Sequence, residues 1–212
     1  MTTLDGVKAY FNLPDDLGPS PVEIRGACRA DLPGLFKALN LVRGVEVGTY
    51  RGRYAKMLCA GNPALHLTCV DAWKAYPGYR DFTIQAELDA VYLQAQEKLR
   101  PYGASFVRAY SVDAAKQVKD GTIDFVYIDA NHSYEGCTTD LFAWVPKVRP
   151  GGIVSGHDYR HFRRSLGIRV VEAVNGYTAA HDIDPWFILG RNKVKPGEVR
   201  DRERSFFWVK AE

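Results

Sequence analysis

The chain has no hydrophobic run long enough for a transmembrane helix, which needs about 20 apolar residues. Its first residues also lack the basic segment followed by an apolar one that marks a secretory signal. We therefore expect a cytoplasmic protein with no membrane partner. No internal repeat or low-complexity tract is present, and the length of 212 residues is that of one ordinary domain.

The chain also has few cysteines and a small net charge. The four cysteines are scattered without a Cys-x-x-Cys pair, which indicates buried thiols: Cys28, Cys59, Cys69 and Cys137. A net charge of +3 is too small to predict a nucleic-acid partner. What is present, 46% hydrophobic and 25% charged residues, is typical of a globular protein with a substantial core.

The most informative stretch reads Gly-Val-Glu-Val-Gly-Thr-Tyr-Arg-Gly over residues 44–52. Val45 and Val47 suit a buried strand, Gly48 permits a turn, and apolar residues at helical spacing follow. A strand, a glycine turn and a helix form the first unit of a doubly wound α/β sheet, which binds ligands at the carboxyl ends of its strands. A second strand, 66–70, ends in Asp71, where a carboxylate can accept hydrogen bonds from ribose hydroxyls. The sequence therefore predicts a nucleoside cofactor.

The charge around the turn indicates which cofactor is bound. A dinucleotide site needs Gly-x-Gly-x-x-Gly, and only Gly48 and Gly52 are present. The negative charge of Glu46 would repel a pyrophosphate but suits the ammonium group of S-adenosylmethionine. An alternative stays open, in which Glu46 is a strand-end carboxylate paired with Arg43 or Arg51.

Strand and helix patterns alternate through the rest of the chain. We predict helices over 83–100, 113–119, 133–145 and 169–174, and strands over 105–109, 123–128 and 153–156. Short turns between these elements require a parallel sheet with right-handed crossovers. Two apolar runs, 186–189 and 206–209, predict a terminal hairpin around a long exposed loop, 191–204.

The first forty residues have a different character. Four prolines interrupt short apolar patches, which predicts a cap or lid of one or two helices ahead of the sheet. The better helix runs from Leu32 to Leu39, with Asp31 as its N-cap and Pro33 in its first turn.

Four motifs in this sequence resemble the class I S-adenosylmethionine-dependent methyltransferases, and within them the methyltransferase domain 24 family. They are Val45-Glu46-Val47-Gly48, Asp71, Phe-Val-Tyr-Ile-Asp-Ala-Asn-His-Ser-Tyr-Glu-Gly over 125–136, and Pro-Gly-Gly-Ile-Val-Ser-Gly-His-Asp-Tyr over 150–159. The resemblance implies a Rossmann-like doubly wound sheet of seven strands, mostly parallel, in the order 3-2-1-4-5-7-6. Strand seven, at the C-terminus, is then antiparallel, with helices on both faces of the sheet. It also implies a methyltransferase domain over 41–212, preceded by the cap segment, 1–40.

Residues at the carboxyl ends of the strands are the candidates for binding S-adenosylmethionine: Glu46, Gly48, Thr49, Tyr50, Asp71, Ala72, Trp73, Ser111 and Asp129. Trp73 belongs to an aromatic loop, 72–79. Two positions for its ring stay open, against the adenine or folded into the protein's own core.

Asp129 and Asp158 end neighbouring strands, so we expect their carboxylates to face one another above the cofactor's methyl group. Two oxygen donors suit a hard divalent cation such as Mg²⁺, and the predicted ligands are Asp129, His157 and Asp158. The resemblance implies the same option, because related O-methyltransferases use an ion to hold and acidify the acceptor hydroxyl. The alternative is that each aspartate simply caps a helix.

His132, together with Asp129, is our candidate for catalysis, with the imidazole acting as the base for the acceptor's proton. The alternative is that the histidines hydrogen-bond the backbone at the strand ends. A basic cluster, Arg160, His161, Arg163 and Arg164, either attracts an anionic acceptor or forms a solvated loop, and the second interpretation is favoured.

The leading hypothesis is an S-adenosylmethionine-dependent methyltransferase acting on a hydroxyl of a small molecule, a sugar or a secondary metabolite. A nicotinamide-dependent oxidoreductase is the first alternative. The second is a cofactor-binding fold with a hydroxylase-like role or no catalytic role. The identity of the acceptor and the formation of a homo-oligomer stay open at this point.

Overall fold

One sheet of eight strands organises the computed structural model of the chain, which describes residues 2–24, 26–75, 84–161, 167–190 and 203–211. The strands are β1 (Val22–Ile24), β2 (Arg43–Val47), β3 (His66–Asp71), β4 (Ser105–Arg108), β5 (Ile123–Ile128), β6 (Val148–Gly156), β7 (Trp186–Leu189) and β8 (Ser205–Val209). Their order is β1-β7-β8-β6-β5-β2-β3-β4. β8 runs antiparallel to β6 and β7, and the other pairs are parallel.

Helices cover both faces of this sheet. They are α1 (Thr3–Phe11), α2 (Leu32–Ala38), α3 (Arg53–Gly61), α4 (Gln85–Leu99), α5 (Ser111–Ala115), α6 (Tyr134–Trp144) and α7 (Val170–Ala180). One core cluster joins α1, α2 and α3 to one face, and another joins α5, α6 and α7 to the other. No helix in the described ranges has both the length and the apolar composition needed to cross a membrane.

The doubly wound architecture is confirmed, and so is the strand order. Counted from β2 as the first family strand, the sheet reads 3-2-1-4-5-7-6 with an antiparallel seventh strand. The predicted terminal hairpin forms between β7 and β8. All four cysteines are buried free thiols, as predicted.

The number of strands differs from the prediction of seven because β1 extends the sheet. Val22–Ile24 pairs in parallel with β7, which would otherwise leave an unpaired edge. Arg204 then joins this strand to β8 through a 2.6 Å contact between its Nη2 and Oε1 of Glu23. A three-residue strand is too short to show a periodic pattern, so the sequence carried no signal for it.

Several helix boundaries also shift. α5 begins at Ser111 instead of Asp113 and ends at Ala115, and α7 continues to Ala180. Asp31 occupies the N-cap position of α2, but its carboxylate accepts a hydrogen bond from the Cys28 amide and none from α2. The expected side-chain cap of α2 is therefore not formed.

The N-terminal segment is divided between the two ends of the sheet. The Thr3 hydroxyl of α1 donates to the Gly151 carbonyl in the first half of β6, away from the carboxyl end of that strand. Residues just before α2 lie at the carboxyl ends, where the Gly190 amide after β7 donates to the Ala27 carbonyl. Part of each of three predicted loops lies outside the described residues: the aromatic loop beyond Ala75, Arg163 and Arg164 of the basic cluster, and 191–202 between the last strands.

Candidate active site

The turn after β2 brings three strand ends into close contact. Gly48 has a φ of +92°, and a Cβ atom there would lie 2.0 Å from the Asp129 carbonyl oxygen. Its amide donates to the Val70 carbonyl at 2.8 Å, and the Asp129 amide donates to the Val47 carbonyl at 2.8 Å. Only glycine permits both this backbone conformation and this approach. The ends of β2, β3 and β5 are thus held together around Gly48.

A cavity of about 680 Å³ opens at the carboxyl ends of β2, β3, β4 and β5. Seven of the predicted site residues line it: Gly48, Tyr50, Asp71, Ala72, Ser111, Asp129 and His132. Five others lie outside its wall: Glu46, Thr49, Trp73, His157 and Asp158. The structure therefore gathers most of the predicted residues around one space.

Asp71 shapes the loop at the end of β3. Its Oδ2 accepts from the Tyr50 amide at 2.8 Å, and its Oδ1 accepts from the Trp73 amide at 2.7 Å. Burial raises the pKa of this carboxyl, and the two amide bonds oppose the rise. Each carboxylate oxygen has a second lone pair, so Asp71 can still accept a hydrogen bond from a hydroxyl in the cavity.

Trp73 belongs to the core and not to the cavity wall. Its side chain is fully buried, its ring centroid lies 4.7 Å from that of Tyr92, and its Nε1 donates to the Tyr50 carbonyl. Of the two positions considered for this ring, the structure has the one folded into the protein's own core. Stacking of Trp73 on an adenine is excluded in this arrangement because the indole has no exposed face.

Glu46 is a buried residue of β2, two positions before Gly48. Only 2% of the residue is exposed, and its Oε2 has no hydrogen-bond partner. Burial raises the pKa of this carboxyl to about 8, and the charges of Asp129 and Asp71 add to the rise. Arg51 instead places its guanidinium over the Tyr50 ring. The considered pairing of Glu46 with an arginine of the turn is not present.

Asp129, His132 and Asp158 form a tight cluster beside the cavity. Nε2 of His132 lies 2.9 Å from Oδ2 of Asp158 and 3.3 Å from Oδ1 of Asp129. The two aspartates meet because β5 and β6 are paired in register, with Ile128 opposite Gly156. One ligand atom from each of the three residues lies within 4.8 Å of the others.

His157 lies at the edge of this cluster. Its Nδ1 is 3.4 Å from Oδ2 of Asp158 and 3.8 Å from Oδ2 of Asp129, and it does not belong to the group with metal-ligand spacing. The geometry therefore groups His132, in place of His157, with the two aspartates.

The protonation of the cluster follows from its short contacts. Burial alone would lower the pKa of His132, but hydrogen bonds to Asp129 and Asp158 outweigh it and raise that pKa to about 10. Burial would raise the pKa of Asp158, but hydrogen bonds from His132 and His157 hold it well below its usual range. The carboxylates of Asp129 and Asp158 thus favour the protonated form of the His132 imidazole.

Several residues of the site were missed from the sequence, among them Asp140 and Arg29. Asp140 of α6 lines the cavity, is 4% exposed and is hydrogen-bonded to Ser111, while burial raises its pKa to about 6. Its spacing of four residues from Gly136 is the one signal that could have placed it on the cavity face of α6. Arg29 lies with its Nη1 3.8 Å from Oδ2 of Asp129, and no local pattern points to it.

The described part of the basic cluster lies apart from the cavity. Neither Arg160 nor His161 lines it, and His161 is exposed with its Nδ1 3.9 Å from Oε1 of Glu172. This position agrees with the interpretation of a solvated loop for His161, whereas Arg160 is half-buried.

A protein-family model described as a methyltransferase domain matches residues 45–159. The chain belongs to this methyltransferase family. The match begins in β2 and ends one residue after Asp158, so it contains the Gly48 turn and the whole Asp129–His132–Asp158 cluster. The class I assignment made from the motifs is confirmed.

Solved structures similar to this methyltransferase include three O-methyltransferases. A putative caffeoyl-CoA O-methyltransferase from Staphylococcus aureus has a TM-score of 0.62 and 15% identity, covering 86% of this chain and 82% of that one. The Bacillus cereus O-methyltransferase in complex with SAH has a TM-score of 0.59 and 16% identity, covering 98% of this chain and 88% of that one. TomG from Streptomyces achromogenes, in complex with SAM, has a TM-score of 0.58 and 14% identity, covering 99% of this chain and 89% of that one. At these identities the similarity shows the shared fold.

Among curated proteins, the methyltransferase matches the uncharacterised protein y4gI of Sinorhizobium fredii. The two are 25% identical over 138 residues, which is 63% of this chain. The match spans only 15% of the length of y4gI.

Proposed function

We propose that this methyltransferase transfers the methyl group of S-adenosylmethionine to a hydroxyl of a small molecule, with the help of a divalent cation. The single observation that carries the proposal is the cluster of Asp129, His132 and Asp158, whose ligand atoms lie within 4.8 Å beside the Gly48 turn. It combines a metal-ligand spacing with the cofactor edge of a methyltransferase fold.

The cavity suits S-adenosylmethionine in size and chemistry. A volume of about 680 Å³ is within the usual range for small-molecule sites. Asp71 would accept hydrogen bonds from the ribose hydroxyls, and the unpartnered Oε2 of Glu46 suits the ammonium of the methionine moiety. Tyr50, Ala72 and Ser111 would form the walls around the nucleoside.

The cluster also suits a divalent cation. Asp129 and Asp158 supply carboxylate oxygens, which Mg²⁺ prefers, and the His132 nitrogen extends the choice to Mn²⁺ or Zn²⁺. When bound, such a cation supplies Lewis acidity that lowers the pKa of the acceptor hydroxyl. Asp129 lines the cavity, so a cation bound to its carboxylate would face an acceptor in the cavity.

His132 can serve as a ligand or as the base, but its Nε2 cannot do both at once. The 2.9 Å contact with Asp158 directs that nitrogen at the carboxylates, which favours the role of ligand. In the base role, the two aspartates alone would hold the cation, and the imidazole would take the acceptor's proton. In either role the chain orients the acceptor for in-line attack on the methyl group.

The hydroxyl acceptor and the domain limits are also parts of the proposal. A hard cation binds oxygen, and the names of several structural neighbours describe O-methyltransferases, which supports an oxygen acceptor on a sugar or secondary metabolite. We assign 41–212 to the methyltransferase domain and 1–40 to its cap. Family membership and the buried acid at the turn disfavour the nicotinamide alternative.

Calorimetry with S-adenosylhomocysteine, with and without Mg²⁺ or Mn²⁺, tests the cofactor and the cation. We expect binding by the unchanged chain, and no heat from the folded protein would refute the proposal. Asp158→Asn should abolish the effect of the cation, whereas Asp120→Asn is the control, because Asp120 is exposed and pairs with Lys147.

Methyl transfer to a panel of sugar and phenol hydroxyls then tests catalysis. Asp129→Ala should remove the transfer. If Asp129→Ala retained full turnover, the role assigned to Asp129 would be wrong. If the unchanged chain bound the cofactor without any turnover, the binding-only alternative would be preferred.

A further inference from the structure

The turn from Ala27 to Asp31 is fixed at the carboxyl end of the sheet, although it lies outside the matched segment. The Gly190 amide, just after β7, donates to the Ala27 carbonyl at 2.8 Å. The Tyr54 hydroxyl, in the first turn of α3, donates to the Arg29 carbonyl at 2.9 Å. These bonds give the backbone of Arg29 a defined place beside the site.

The Arg29 side chain extends from this turn toward the cluster. Its guanidinium carbon lies 5.3 Å from the centroid of the Tyr54 ring, within the range of a cation–π interaction. Its Nη1 lies 3.8 Å from Oδ2 of Asp129, and the side chain is 36% exposed. This distance exceeds the usual 2.7–2.9 Å of a charge-assisted hydrogen bond. Arg29 therefore places a permanent positive charge next to a cavity-lining carboxylate.

Glu46 lies two residues before Gly48, and Arg29 lies beside Asp129, whose backbone contacts the Gly48 turn. The Arg29 charge acts on Glu46 and lowers its pKa against the larger effect of burial, so the two lie within electrostatic reach. Glu46 also has the unpartnered Oε2. An α-amino acid carries an ammonium and a carboxylate on one carbon. An ammonium beside the Glu46 carboxyl would favour the ionised form of that carboxyl, and the Arg29 guanidinium would match the carboxylate.

We propose that Arg29 binds the carboxylate of the cofactor's methionine moiety. The 27–31 turn would then be the part of the N-terminal segment that completes the cofactor site. This inference rests on the proposed use of S-adenosylmethionine and adds a binding residue from outside the matched segment.

The test compares two ligands that differ only in the amino-acid part. S-adenosylhomocysteine carries the carboxylate, and 5′-methylthioadenosine lacks the whole amino-acid end. Arg29→Met keeps an aliphatic stem over the Tyr54 ring and removes the charge. We expect it to weaken S-adenosylhomocysteine binding by about 10- to 100-fold, the effect of losing one charged hydrogen-bond partner, and to leave 5′-methylthioadenosine binding unchanged.

Two further variants make the comparison specific. Arg29→Lys keeps the positive charge and should retain part of the affinity for S-adenosylhomocysteine. Arg53→Ala removes an exposed arginine next to Tyr54 on α3 and should change neither affinity. Circular dichroism of each variant verifies that it is folded.

Each other outcome has a defined meaning. Equal weakening of both ligands by Arg29→Met would overturn the inference, because Arg29 would then support the fold of the site. Unchanged binding of S-adenosylhomocysteine would overturn it as well and leave the proposed function intact. If the unchanged chain bound neither ligand, the proposed function would fail, and the inference would fail with it.

Discussion

At the scale of single residues, the site depends on acids that the fold buries. Glu46 has 2% of its surface exposed, and Asp140 has 4%. Burial raises the pKa of each carboxyl, to about 8 for Glu46 and about 6 for Asp140. A protein keeps such groups at a cost in stability, so they are candidates for function.

Glu46 should make the stability of the protein depend on pH. Its folded pKa of about 8 lies above the unfolded value of 4.5, so the folded state holds a proton that the unfolded chain has already lost. Stability is therefore lost as pH rises from about 5 to about 8. Glu46→Gln lacks this ionisation and should gain stability relative to the unchanged chain over the same interval.

Urea denaturation of both proteins at pH 5 and pH 8 measures the effect. Glu87→Gln is the control because Glu87 is exposed on α4. A stability difference between Glu46→Gln and the unchanged chain that stayed constant with pH would contradict the pKa assigned to Glu46.

At the scale of elements, α6 follows the loop that carries Asp129 and His132, and it also lines the cavity. It begins after Ser133, whose hydroxyl accepts from the Gly136 amide at 3.0 Å. The same helix carries Asp140 to the cavity. The sequence predicted this helix to within one residue at each end because its cap and apolar spacing are local features.

Replacing the cap should loosen this helix. Ser133→Ala removes the hydrogen bond to the Gly136 amide, and we expect a loss of about 1 kcal/mol in the free energy of unfolding. Ser133→Asp should restore most of it, since a carboxylate caps equally well and suits the helix N-terminus. Urea denaturation compares the three proteins, and equal stability of Ser133→Ala and the unchanged chain would show that the cap contributes nothing.

At the scale of the whole molecule, β1 ties the N-terminal segment to the C-terminal hairpin. It pairs with β7, and Arg204 reaches from the start of β8 to Glu23 of β1. Only 10% of the Arg204 side chain is exposed, and its Nε has no hydrogen-bond partner. Glu23 is therefore an important partner of a buried charge.

Removing Glu23 should destabilise the whole fold. Glu23→Ala leaves the buried Arg204 guanidinium less compensated, and we expect a loss of about 1–3 kcal/mol. Glu97→Ala is the matched control, because Glu97 also pairs with an arginine at 2.9 Å but both side chains are exposed. An equal loss of stability in both variants would refute a special role for the pair that contains the buried Arg204.

The sequence by itself determined the architecture and the strand ends of this methyltransferase. The strand, glycine turn and helix around Gly48 are encoded within a few residues, and so are the positions of Asp71, Asp129 and Asp158 at or just after the ends of their strands. Such patterns are local, and parallel strands then bring their carboxyl ends to one edge of the sheet.

Only the tertiary structure decided which side chains meet at that edge. It grouped His132 with the aspartates, buried Trp73 in the core, brought Arg29 to Asp129 and added β1 to the sheet. Each of these depends on contacts between distant parts of the chain or on the direction a side chain takes from a loop. Neither composition nor periodicity encodes that information, because both describe neighbours along the chain and not neighbours in space.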